Sequence, residues 1–216
     1  MLAGAMTMFG LTQAPSFAQG HGIHDIHQST HFAHPLHNGL QPYICDVDGD
    51  IADGDFTAQY VKDGARIPLQ VANFFFEDDF FCDNAGGFIV LPHSVRFNSM
   101  SALVKRTGNV TKDELFFAFF IDGDSLPWFF SLGDSIEGST TPDGYTLYTL
   151  TPARAQLVDP VFPLVSFINE YGWESDLVNV GTANFDQFRL NGALTPKFTP
   201  VFIGCVFSDP NDCREE

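Results

Sequence analysis

Basic side chains are scarce in this chain. Ten Lys and Arg stand against 27 Asp and Glu in 216 residues, a formal net charge of −17. Nucleic acids and anionic membrane surfaces both demand a basic face, so this balance argues against either as a partner. Long apolar runs are missing as well. No stretch approaches the ~20 apolar residues of a bilayer-crossing helix, and we expect no transmembrane segment. Catalytic signatures are also lacking: the chain has no Gly-x-Ser-x-Gly elbow, no Gly-rich phosphate loop and no His-Glu-x-x-His. None of the four cysteines, Cys45, Cys82, Cys205 and Cys213, forms a Cys-x-x-Cys pair. An enzymatic reading therefore has no motif to rest on.

What the chain has in abundance is phenylalanine, 24 copies against 2 Trp and 5 Tyr. Phe suits the half-buried, pleated surface of a strand. The acids are mostly Asp, which belongs to turns more than to helices. Residues Met1 to Phe17 are apolar and uncharged, and Ser16-Phe17-Ala18 has the small-x-small form of a cleavage site before Gln19. Residues 1–18 are thus read as a secretory signal peptide and the protein as secreted or cell-surface. No Lys or Arg precedes the apolar run, so we expect Met1 to be internal to a longer signal. The competing reading is an ordinary apolar strand or helix. An even cysteine count agrees with export and a disulfide bond framework. Four cysteines permit three pairings and sequence does not choose among them; proximity favours Cys205–Cys213, leaving Cys45–Cys82.

Residues 19–55 combine a His-rich arm with an Asp-rich loop, and 56–216 read as strands broken by turns. Tyr145–Leu150 alternates with period two, and Leu115–Ile121 is continuously apolar, as a strand covered on both faces would be. Strands are also expected at Phe74–Phe76, Phe88–Leu91, Val95–Phe97 running on through Ala102–Val104, Trp128–Phe130, Val161–Ile168, Val178–Leu190 and Phe198–Phe207. Asp122-Gly123, Pro142-Asp143-Gly144 and Asn191-Gly192 are turn formers. A short helix is expected over Thr151–Val158, with Thr151 as cap and Pro152 in its first turn. The fold class expected is all-β: a two-sheet antiparallel β-sandwich, jelly-roll-like, behind an irregular His-rich N-terminal arm.

Asn179-Val-Gly-Thr-Ala-Asn-Phe-Asp-Gln-Phe-Arg-Leu-Asn-Gly192 resembles the closing strand of galactose-binding-like jelly rolls, the fold of many carbohydrate-binding modules. Asp186, Phe188 and Leu190 occupy the places of that strand's Asp and alternating apolar residues. The resemblance covers these fourteen positions, and it implies a jelly roll that binds glycan without identifying the residues that do so. A further expected strand, Phe198–Phe207, departs from a family whose domain usually stops earlier.

Two segments have the composition of metal ligands. His24, His27, His31 and His34 would fall within about an 80° arc on a helix, a spacing that chelates Zn²⁺ or Cu²⁺. Gly22, Ser29, Thr30 and Pro35 oppose that helix. A loosely binding tail, a pH-responsive tail and an incidental arm are the other readings. Asp46 to Asp55 resembles the Ca²⁺ loops of dockerins and thrombospondin type 3 repeats. Asp46, Asp48, Asp50 and Asp53 match the acidic positions and Asp55 is a further candidate ligand, although Gly49 stands at a usually variable place, Ile51 replaces the turn glycine and Thr57 the final Glu; the other reading is a solvated acidic turn.

Three functions follow as expectations. The first is a non-catalytic binding or structural protein that meets a glycan or an extracellular protein surface, with Tyr171 and Trp173 as the ligand platform and calcium as a stabiliser. The second is an exported transition-metal-binding protein using the His-rich arm. The third is a glycan-active hydrolase using Glu170 and Glu174. So much Phe also suits a subunit interface, which leaves an oligomer open.

Overall fold

The computed structural model describes residues 41–45, 56–74, 84–124, 127–177, 179–195 and 203–204, the first and last of these segments by backbone alone. The first sheet contains β1 (Gln41–Cys45), β4 (Asn84–Arg96), β6 (Leu115–Ile121), β7 (Trp128–Ser131), β10 (Phe167–Asp176) and β13 (Ile203–Gly204). Its strand order is β13-β1-β4-β10-β6-β7. The second contains β2 (Phe56–Tyr60), β3 (Leu69–Asn73), β5 (Met100–Gly108), β8 (Ile136–Thr140), β9 (Thr146–Leu150) and β11 (Gly181–Leu190). These run in the order β2-β3-β11-β5-β9-β8, with the short β12 (Ala193–Leu194) beside β11. All neighbours pair antiparallel except β1 and β13, which are parallel. This is a two-sheet β-sandwich.

The core lies between the two sheets. Trp173 of β10 stacks on Phe185 of β11 with ring centroids 4.0 Å apart, and Phe188 packs against both Tyr171 and Phe117. Leu115, Phe117, Phe119 and Ile121 meet Met100, Ala102, Val104, Tyr148 and Leu150 in the same buried cluster. These residues alternate along their strands because period-two pleating sends every second side chain inward. β10 is central to the first sheet, between β4 and β6, and β11 is interior to the second, between β3 and β5.

Leu115–Ile121 forms β6 within the expected bounds, and the helix α1 (Pro152–Val158) starts where its cap predicts, the Thr151 side chain accepting from the Arg154 N–H. Four expectations are corrected. Val95 and Arg96 end β4 rather than opening β5, because Phe97 turns away after its N–H bonds the Ser166 carbonyl. Val161–Val165 is loop, since Asp159 and Pro163 break the strand, which begins only at Phe167. The segment Asn169–Asp176, read as a ligand-bearing stretch, is the middle and end of the central strand β10. Residues 41–45, assigned to the irregular arm, form β1 and pair with β4, so the sandwich starts before Phe56.

Residues 1–40, which hold the expected signal peptide and His-rich arm, lie outside the described residues, as do Cys82, Cys205 and Cys213. Of Cys45 only the backbone at the end of β1 is described. Among the described residues no helix is long and apolar enough to cross a membrane.

Candidate functional site

The expected ligand platform is not on the surface. Trp173 is 0% exposed and Tyr171 5%, and both point between the sheets. The Tyr171 hydroxyl shares a hydrogen bond with the Thr195 hydroxyl at 3.1 Å. The reason is the pleat of β10: Tyr171, Trp173 and Ser175 share one face, and that face is the core. Neither ring offers a face for a sugar to stack on. The Ca²⁺ candidates Asp46, Asp48, Asp50, Asp53 and Asp55 lie outside the described residues, as do His24, His27, His31 and His34. Among the described residues no three His, Cys, Asp or Glu side chains are grouped to hold a metal ion.

Glu170 and Glu174 fall on the opposite face of β10, turned away from the core. Four residues apart on one strand, their Cα atoms are separated by about 13 Å. They share a sheet face instead of opposing each other across a cleft, so the paired-carboxylate geometry of a glycosidase is not formed by them. Glu170 is flanked by Val90 on β4 and Phe120 on β6. Its Oε1 is buried without a hydrogen-bond partner among the described residues. Burial pushes its carboxyl up to about 7. Further along, burial also raises the Asp176 carboxyl, against a hydrogen bond from Glu174 and with repulsion from Glu114 adding to the rise. Glu114 itself is structural: it accepts from the Thr111 N–H and hydroxyl and from the Asn179 backbone and side-chain N–H groups.

An exposed apolar stretch runs from the last turn of α1 through the connecting loop to the first residue of β10, Leu157 to Phe167. Its centre is pinned. Phe162 is fully buried and meets Trp128, Phe130, Phe119 and Phe97 edge-on, at centroid distances of 5.1, 5.4, 5.9 and 6.2 Å. Asp159 closes a side-chain turn by accepting from the Val161 N–H, and Gln156 donates to the Phe162 carbonyl. The far end is tied to the sheet, where the Asp122 N–H donates to the Phe167 carbonyl at 2.7 Å. Held on this frame, five apolar side chains face water: Val161 at 78% exposure, Leu157 at 76%, Val165 at 60%, Leu164 at 52% and Phe167 at 49%. Val90 of β4, half exposed, pairs with Glu170 across the sheet. Sequence reading took Val161–Ile168 for a strand and Leu157 for part of the short helix, since an apolar run carries no mark of which way it faces.

Sequence reading also missed a polar clasp on the outer face of the second sheet. Arg66 donates to Asp143 and to Asp186, both at 2.6 Å, and its guanidinium lies 4.7 Å over the ring of Tyr145. Lys105 and the Tyr145 hydroxyl both donate to Asp63 Oδ2. The Arg66 guanidinium holds the Asp143 carboxyl down at about 2, and the Lys105 hydrogen bond, followed by that of Tyr145, lowers Asp63. Burial pushes the Tyr145 phenol up to about 12. The members come from four separate stretches of chain, and no local spacing announces them. All are mutually satisfied, so the clasp fastens the β2–β3 and β8–β9 connections across β5 and β11. Arg66→Ala is expected to cost about 2 kcal/mol in urea unfolding, because it removes two charge-assisted bonds and a cation–π contact. An unchanged midpoint would show that the clasp contributes nothing to stability.

Compared with known proteins, the chain matches no family model and no curated protein.

Proposed function

We propose that this chain is a non-catalytic β-sandwich, exported to the cell surface or beyond, that binds another protein through the loop between α1 and β10. The observation that carries this reading is the outward set Val161, Leu164 and Val165 on the loop, with Leu157 at the end of α1 and Phe167 at the start of β10, around a loop centre locked in the core. Clustered, water-facing apolar side chains on a fixed frame are the signature of a contact surface. Covering them is worth on the order of 5 kcal/mol at about 1–2 kcal/mol per partly exposed side chain. Aliphatic groups suit a polypeptide partner better than a sugar, which needs flat rings and hydrogen-bonding groups. The net charge of −17 argues against an anionic membrane.

Photo-crosslinking in the producing cells tests the reading. A photoreactive residue at Val161 or Leu164 is expected to capture one polypeptide, and the same residue at Thr140 on the exposed edge strand β8 is expected to capture none. Labelling that is equal at both places, or absent from the loop, sinks the proposal. Calcium held by the Asp46–Asp55 loop belongs to the same reading as a stabiliser, since a cation relieves the mutual repulsion of five carboxylates. Chelation with EDTA is then expected to lower Tm by several degrees, about what a loss of 1–2 kcal/mol produces in a domain of this size. An unchanged melting curve removes the calcium part alone.

A further inference from the structure

We infer that Asn109 carries an N-linked glycan, attached at the end of the sandwich opposite the docking loop. The inference rests on the export proposed above, because the Asn-x-Ser/Thr acceptor belongs to secreted chains. Asn109-Val110-Thr111 is the single Asn-x-Ser/Thr tripeptide in the chain, and its middle residue is not proline. Tripeptides of this form also arise by chance, so placement decides. Asn109 stands in the turn after β5 and is exposed to solvent. Gly108 before it takes φ +68, left-handed backbone that a tight turn needs and a side chain resists. The Asn109 N–H donates to the Val180 carbonyl at 2.9 Å, and the Val110 side chain is buried in the core. Backbone and neighbour are thus fixed, while the Asn109 carboxamide makes no hydrogen bond among the described residues. A free carboxamide on an exposed turn is what attachment of a bulky, hydrated sugar requires.

The donor class is an oligosaccharide carried on a polyisoprenyl diphosphate. In the transfer, the Asn109 carboxamide nitrogen bonds to the anomeric carbon, and the bond from that carbon to the diphosphate oxygen breaks. The lipid diphosphate leaves with that electron pair, and the nitrogen's proton passes to a base of the transferase. The Thr111 hydroxyl is the part of the tripeptide that the transferase reads. In the folded chain that hydroxyl and the Thr111 N–H both donate to Glu114 Oε1, each at 2.7 Å, and Glu114 is buried. Transfer therefore precedes closure of this turn, and folding then leaves the glycan outside. β6 runs from this end, at Leu115, to Ile121, beyond which the Asp122 N–H holds the Phe167 carbonyl. Its seven residues separate the two ends by about 20 Å, so the glycan leaves Val161 and its neighbours uncovered.

Intact mass and peptide mapping test this, on protein collected from the medium or surface of the cells that make it. The expected mass exceeds that of the mature chain by one glycan and falls back on treatment with peptide N-glycosidase. Run in heavy-oxygen water, that enzyme should convert Asn109 alone to a labelled aspartate. Asn109→Gln should fold, as its thermal melt verifies, and carry no glycan. Thr111→Ser should keep the glycan, since a hydroxyl remains for both the transferase and Glu114. Exported protein with Asn109 unmodified overturns the inference and leaves export standing. Protein retained inside the cell with Asn109 unmodified overturns both. A glycan that persists on Asn109→Gln puts the attachment elsewhere and overturns the assignment. Crosslinking from Val161 decides the docking loop separately.

Discussion

Glu170→Gln is expected to leave stability unchanged at pH 4 and to raise it by about 3 kcal/mol at pH 8. The folded carboxyl is raised from 4.5 to about 7 by burial. A folded value above the unfolded one means that the native state holds a proton the unfolded chain has released. The associated stability is complete below the unfolded value and is lost as pH rises through about 7. Gln keeps the shape and has no charge to expose, so the variant escapes that loss. Asp176 shifts in the same direction, again through burial, and adds to the decline. Asp143 works the other way: it is held at about 2, so its contribution is present above its ordinary value and is lost only in stronger acid. These groups together put the most stable range at mildly acidic pH. Urea midpoints at pH 4, 6 and 8 for wild type and Glu170→Gln measure the effect. A gap of equal size at all three would mean that burial of the carboxylate is not what costs stability.

Trp173→Ala should cost about 3–5 kcal/mol, the largest effect of any single change considered. The indole is fully buried, stacks at 4.0 Å on Phe185 of the facing sheet, and sits on the central strand with β4 and β6 on either side. Its removal leaves a cavity at the middle of the sandwich, where packed strands on both sides cannot collapse into it. Trp173→Phe should recover more than half of the loss, because a smaller ring keeps the stack. If either substitution altered ligand binding while leaving the unfolding midpoint alone, the residue would be acting at a surface, contrary to its place in the core. The contrast with Val161→Asp is direct: that change belongs to binding and should leave stability within about 0.5 kcal/mol.

The strands were legible wherever pattern and punctuation agreed. Leu115–Ile121 reads as a strand because its Phe and Ile favour one, although its length would also fit two helical turns. The helix after Thr151 reads equally well, since cap and proline act within one turn. Local order failed where two tendencies competed. Val161–Val165 is as apolar as many strands, but the Asp159 turn and Pro163 bend it into a loop, and only Phe162 goes inward. Tyr171 and Trp173 illustrate a different failure. Aromatics beside carboxylates suit a binding cleft, and they suit equally a strand with one face in the core and one face outward. Which face is which depends on the partner sheet, which lies far away in sequence.

Composition and period alone thus settled the class of this protein: Phe-rich alternation and Gly/Asp turns leave little besides stacked sheets, because those are local properties of short segments. Facing direction was settled only in three dimensions. β10 slots between β4 and β6, and β11 between β3 and β5, so long-range pairing chose which side of each strand met the other sheet. That choice buried Trp173, set Glu170 between Val90 and Phe120 with a buried oxygen, and left Val161 and its companions in water. Burial is a property of the assembled pair of sheets, and no single strand carries it in advance.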